Sequence, residues 1–97
     1  MDKLPKTNYG KGGLVMRRLG FVGIIVENRK ENAPKVNSIL TEFGDIIIGR
    51  LGVPYKERNC NVIVIIVDAT IDGLGALTGK LGEIKGVSVK SALAKER

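Results

Sequence analysis

The chain has 97 residues, 43% of them hydrophobic, 4% aromatic, with a formal net charge of +6, which is enough for one domain with one modest core. A lone cysteine, Cys60, and the lack of any histidine exclude an internal disulfide and remove the usual nitrogen and sulfur ligands of zinc, nickel or copper. No apolar run approaches the roughly 20 residues of a membrane span, and no signal-peptide core follows the early lysines, so the reading is a cytoplasmic protein with no cofactor and no membrane partner.

Residues 1–16 mix Lys, Asn, Pro and Gly with little apolar periodicity, so they read as a disordered arm or extension, with Met16 as an alternative start. Lys3, Lys6, Lys11 and Arg17 against Asp2 carry half of the net charge. The rest of the chain interleaves acids and bases, the pattern of an ordinary solvated surface. Residues 17–95 form the domain.

Its first strand spans Leu19 to Val26, apolar at both odd and even positions, as expected of a strand buried on both faces. Asn28 to Asn32 reads as a polar turn. Pro34 marks the first turn of a helix whose face is Ala33, Val36, Leu40 and Phe43, closed by Gly44. Asp45 to Val53 is the second strand, where Gly49 and Gly52 point to a bulge. Pro54 to Asn61 is a polar connection. The aliphatic run Val62 to Val67 is the third strand, too short and too β-branched for a helix. Leu74, Leu77, Leu81 and Ile84 recur at helical spacing, Gly86 stops that helix, and Val87-Ser88-Val89 begins the last strand.

The order β-α-β-β-α-β gives an α+β, ferredoxin-like split βαβ fold: a four-stranded antiparallel sheet with two helices on one face and the first and third strands central. Two helices cover one sheet face. The central strands, apolar at every position, therefore present Val and Ile on the other face, and patches of that kind mark interaction surfaces. A homodimer or homotetramer is expected, with Val22, Ile24, Val26, Val62, Val64 and Ile66 at the interface.

Several chemistries are excluded or weakened by spacing. Gly73 to Lys80 has five residues between its outer glycines and Leu81 after the lysine, which breaks the phosphate-loop pattern. Gly75 and Gly79 have three residues between them rather than the two a dinucleotide fingerprint needs. The central strands lack the aromatics on which RNA-recognition motifs stack bases, Phe21 excepted. Acylphosphatase-like hydrolysis has only Arg29 and Asn61 as candidates, and Cys60 has no histidine to activate it; no catalytic constellation emerges, and the chain reads as a non-enzyme. Gly75, Gly79 and Gly82 form a stripe away from the leucines, at a cost in helix propensity that a closely approaching partner or flat ligand would explain.

A ligand site is expected where helix N-termini expose unpaired N–H groups and the positive ends of macrodipoles. Both strand-to-helix turns are expected at one end of the sheet. They bring Asn28, Arg29 and Lys30 together with Thr70, Asp72, Gly73, Gly75 and Gly79. Arg50 joins them if the register around Gly49 and Gly52 allows, and the ligand class is a small anion or carboxylate.

Gly49-Arg50-Leu51-Gly52-Val53-Pro54-Tyr55, Asp68-Ala69-Thr70, Ala76 to Gly82 and Gly86 to Ser91 together resemble the iron-only hydrogenase system regulator family. The resemblance covers about residues 17 to 94. It implies a stand-alone relative of ACT domains and of the C-terminal domain of nickel-responsive regulators. Such a relative would be a homo-oligomeric transcriptional regulatory domain that binds a small effector at subunit interfaces. The histidines of the nickel site are missing here, and Ala33-Pro34 stands where ACT domains often place a glycine. No helix-turn-helix or ribbon module is recognisable, so nucleic acid would be reached only indirectly or through the basic N-terminal arm.

Overall fold

In the computed structural model, residues 6–9 and 13–95 are described. The elements are β1 (Lys6–Tyr9), β2 (Gly13–Met16), β3 (Arg18–Glu27), α1 (Arg29–Glu42), β4 (Ile47–Tyr55), β5 (Cys60–Ala69), α2 (Ile71–Gly82) and β6 (Val87–Leu93), with short 3-10 turns at Gly44–Ile46 and Lys56–Arg58. From β3 onward the order is the expected β-α-β-β-α-β, in one antiparallel sheet ordered β4-β5-β3-β6. β3 and β5, the two strands with apolar residues at both odd and even positions, are central.

The expectation of a disordered arm fails where the chain is described. Lys6–Tyr9 pairs antiparallel with Gly13–Met16, from Lys6 opposite Met16 to Tyr9 opposite Gly13. Two of the three residues between these strands are glycine, a hairpin signal that the reading passed over. What it says of residues 1–5 and 10–12 lies outside the described residues.

The core lies between the helices and one face of the sheet. Val22, Ile24 and Val26 of β3 and Ile63, Ile65 and Val67 of β5 pack against Val36 and Leu40 of α1 and Leu74, Leu77 and Leu81 of α2. The three- and four-residue spacings of both helices thus face the sheet as periodicity requires.

Three boundaries differ from expectation, each for a local reason. α1 begins at Arg29, not beside Pro34, because Asn28 adopts a left-handed conformation (φ 53°) and its carbonyl accepts from the amides of Glu31 (3.1 Å) and Asn32 (3.0 Å). Pro34 therefore lies inside the helix, where it removes the amide that would bond the Lys30 carbonyl. Pro54 is part of β4, opposite Asn61; β4 is an outer strand, which tolerates a missing donor. α2 ends at Gly82, and Gly86 (φ +92°) instead turns the chain into β6. The bulge expected near Gly49 is present, as a register slip between Ile47 and Gly49.

Asn32 ties this framework together. It is buried, and its Nδ2 donates to the carbonyls of Glu27 (2.8 Å) and Lys85 (2.9 Å), linking the end of β3 to the α2–β6 connection. Asn32→Ala leaves both carbonyls without that donor and is expected to lower unfolding stability by about 2 kcal/mol in a urea titration.

The glycine stripe of α2 meets nothing among the described residues: a Cβ added at Gly75, Gly79 or Gly82 has no heavy atom of theirs within 4 Å. With space available, Gly75→Ala and Gly79→Ala should each raise stability by about 0.8 kcal/mol through helix propensity alone. A fall in melting temperature would instead place a second molecule against this face.

Candidate functional site

Ladder geometry decides where each candidate residue sits. β3 and β5 pair from Arg18 opposite Ala69 to Glu27 opposite Cys60. β3 therefore ends where β5 begins. The start of α1, after Glu27, and the start of α2, after Ala69, lie at opposite ends of a ten-residue ladder, roughly 30 Å apart at strand rise. The expectation that both turns open at one end is incorrect, and the nine-residue ligand set divides.

At the α2 end, the Thr70 side chain accepts from the Gly73 amide (3.0 Å), so the helix start is already capped. Thr70 and Gly73 line a cleft with Arg17, Glu42 and Asp45; its two carboxylates oppose an anion. Asp72, Gly75 and Gly79 are exposed on α2.

At the α1 end, the Asn28 side chain does not cap the helix. Its Nδ2 donates to Glu31 Oε1 at 3.0 Å. Lys30 is exposed. Arg29 is tied down twice: its amide donates to the Asn59 carbonyl (3.2 Å), and its Nε donates to Asn61 Oδ1 (3.0 Å). The pair considered for acyl-phosphate hydrolysis, Arg29 and Asn61, is thus in direct contact.

Arg50 stands opposite Ile65, a helix-facing residue, because the slip at Ile47/Gly49 sets the phase of β4. From there its Nη2 donates to Asn37 Oδ1 of α1 at 2.6 Å. Arg29, Arg50, Asn37 and Asn61 line one groove of about 250 Å3, together with Gly52, Val53, Pro54 and Ile63. Asn37 is not singled out by the sequence, and Gly52 reads there only as a bulge signal and part of a motif, not as a lining residue. Asn37 carries no periodic or motif signal, and both residues meet in the groove only because β4 lies beside α1. At the same end of the sheet, the exposed Tyr55 phenol is held above its ordinary pKa, mainly by a hydrogen bond to Glu57.

The other face of the sheet carries no helix. The six residues expected at an interface divide between the two faces. Val62, Val64 and Ile66 are exposed there, but Val22, Ile24 and Val26 are fully buried beneath the helices. Phe21 pairs with Ile66, Gly23 with Val64 and Ile25 with Val62, so odd positions of β3 share a face with even positions of β5. The open face is therefore Leu19, Phe21 and Ile25 of β3, Val62, Val64 and Ile66 of β5, and Leu51 and Val53 of β4, with exposures from 37% at Val64 to 65% at Leu51. Asp68 joins them at one margin, opposite Leu19, and its Oδ1 is buried with no hydrogen-bond partner among the described residues.

No three His, Cys, Asp or Glu side chains among the described residues are grouped to hold a metal ion. No helix among them is long and apolar enough to cross a membrane.

No curated protein matches the chain. The fold is similar to a solved structure described as the uncharacterized protein TM1266 from Thermotoga maritima, at 38% sequence identity and a TM-score of 0.78, covering 81% of this chain and 99% of that one. Residues 18–91, from the start of β3 into β6, match the TM1266-like family model, described as "Iron-only hydrogenase system regulator, putative". The chain therefore belongs to the TM1266-like family of iron-only hydrogenase system regulators.

Proposed function

We propose that the chain is an ACT-like regulatory domain that works as a homo-oligomer, pairing through the open face of its sheet and taking a small anionic effector, in the transcriptional control of an iron-only hydrogenase system. The observation that carries this reading is the apolar band across β4, β5 and β3. Its eight exposed side chains amount to an area on the order of 600 Å2, at the upper limit of what a monomer usually leaves open. Two such faces together bury about 1,200 Å2, enough for a stable interface. The family description names a regulator, which supports a role in control, and a small effector is the input proposed for it.

Light scattering at micromolar concentration is expected to show a dimer or a larger assembly. Val64→Asp, at the middle of the band, should yield a folded monomer by circular dichroism and sedimentation, because it places a charge in an apolar interface with no opposite charge. A wild-type chain that stays monomeric at these concentrations and binds no hydrophobic dye overturns the reading.

The oligomeric half has a second, independent readout. Phe21→Ser removes the largest apolar side chain of the band without touching the core, and should weaken association at least tenfold. The unfolding midpoint of the dilute protein should hardly move.

A further inference from the structure

We infer that the groove between α1 and β4 is a binding site for a small oxyanion, the phosphate or carboxylate group of a metabolite, held between Arg29 and Arg50. The inference rests on the effector-binding half of the reading above and not on its oligomeric half, since every residue lining the groove belongs to one chain.

Charge is the first argument. The cleft beside Asn32 sets Glu27 and Glu31 against Lys35 and Lys85, the one under Thr70 sets Glu42 and Asp45 against Arg17, and the one between the helices sets Glu83 among Lys35, Lys80 and Lys85, so each holds a carboxylate. The α1–β4 groove carries two arginines and no carboxylate. Both guanidinium groups are held by asparagine oxygens, Arg29 by Asn61 and Arg50 by Asn37. An amide oxygen orients a guanidinium without neutralising it. Among the described residues the ion pair is Lys80–Glu42, elsewhere on the helices, so the charge of the two arginines stays available.

Donor capacity is the second. A guanidinium has five N–H donors in a rigid fork suited to carboxylate and phosphate oxygens. Arg29 spends Nε on Asn61, which leaves both terminal nitrogens, and Arg50 spends one bond from Nη2.

Placement is the third. Arg29 is the first residue of α1, at the positive end of the helix macrodipole, where a cation is disfavoured. A residue that breaks a local rule of this kind is expected at a functional site. With an anion bound, the same dipole and the same arginine act together rather than against each other.

Size narrows the ligand. A volume of about 250 Å3 lies below the range of about 300–1,000 Å3 that holds drug-sized molecules. The floor is kept open by Gly52, where an added Cβ would meet only Ile63 Cγ1 at 3.9 Å, an ordinary contact. A larger side chain at this position fits the fold but occupies the groove.

The test is isothermal titration calorimetry of the full chain with inorganic phosphate, glycerol phosphate and succinate, at constant ionic strength set with chloride. At least one of the three is expected to bind at one site per chain. Arg29→Gln and Arg50→Gln should each weaken it at least tenfold, and Gly52→Val should abolish it while circular dichroism shows the fold retained. Preference for the phosphates or for succinate assigns the oxyanion class. Should Arg29→Gln fail to fold for want of its bond to Asn61, Arg50→Gln and Gly52→Val decide the matter alone. No heat above the chloride control with any of the three, or binding unchanged in Arg50→Gln and Gly52→Val, overturns the site. Sedimentation of the same wild-type sample reads the oligomeric state separately, so a failed oxyanion site and a failed interface are told apart.

Discussion

The antiparallel ladder between β3 and β5 is the constraint on which the rest of this structure depends. Ten consecutive pairs, Arg18 opposite Ala69 through Glu27 opposite Cys60, join two strands whose middle residues are apolar on both faces. This register assigns each side chain to one of two faces, because the side-chain period of a strand is two. It also sends the two strand-to-helix connections out at opposite ends. α1 and α2 then return across the same face, and their leucines and valines close the core. Gly20 belongs to the same frame. A Cβ there would collide with the Ala92 carbonyl and the Leu93 side chain, so the approach of β6 to β3 depends on its absence.

Two different polar strategies appear on the two helices. Where α1 meets α2, Lys80 pairs with Glu42 at 2.7 Å and lies 5.8 Å from the centre of the Phe43 ring. Both charged partners are about half exposed, and contacts of this kind contribute little to stability. Where α1 meets the sheet edge, charges are not paired at all. Asn61 and Asn37 hold Arg29 and Arg50 in place, and Asn32 holds the neighbouring connections with its own amide. Three asparagines on two elements thus order this side of the fold, and no carboxylate lines the groove that holds the two arginines.

The uncovered face follows from the same economy of parts. A four-stranded sheet with two helices has cover for one side only. In many such sheets the free side alternates to polar residues, but β5 continues with Val62, Val64 and Ile66, and β3 with Phe21 and Ile25. On β6 the same face carries Ser88 and Lys90, which stand opposite Ile25 and Gly23. The apolar band is therefore bounded on one side by polar residues, the arrangement of an interface core with a rim.

Much of the fold was legible in the residues themselves. The unbroken run Val62 to Val67 reads as a central strand, although only Ile63, Ile65 and Val67 are buried, and Leu74, Leu77 and Leu81 can share one side of the chain only as a helix. Those are local periodicities, and they carry element type, order and the helical half of the core. They carry no phase for a strand that is apolar at both parities, which is why Val22, Ile24 and Val26 could be taken for surface when they lie at the centre of the core. Nor do they say which connections share an end of the sheet, since that depends on strand direction. The direction of Arg50 turned on one slipped pair at Ile47 and Gly49, and its partner Asn37 lies 13 residues away on another element. Residue type and spacing determined what this chain is built from. Register, strand direction and a single bulge decided which residues meet, because those are properties of pairs of strands and not of any one stretch of sequence.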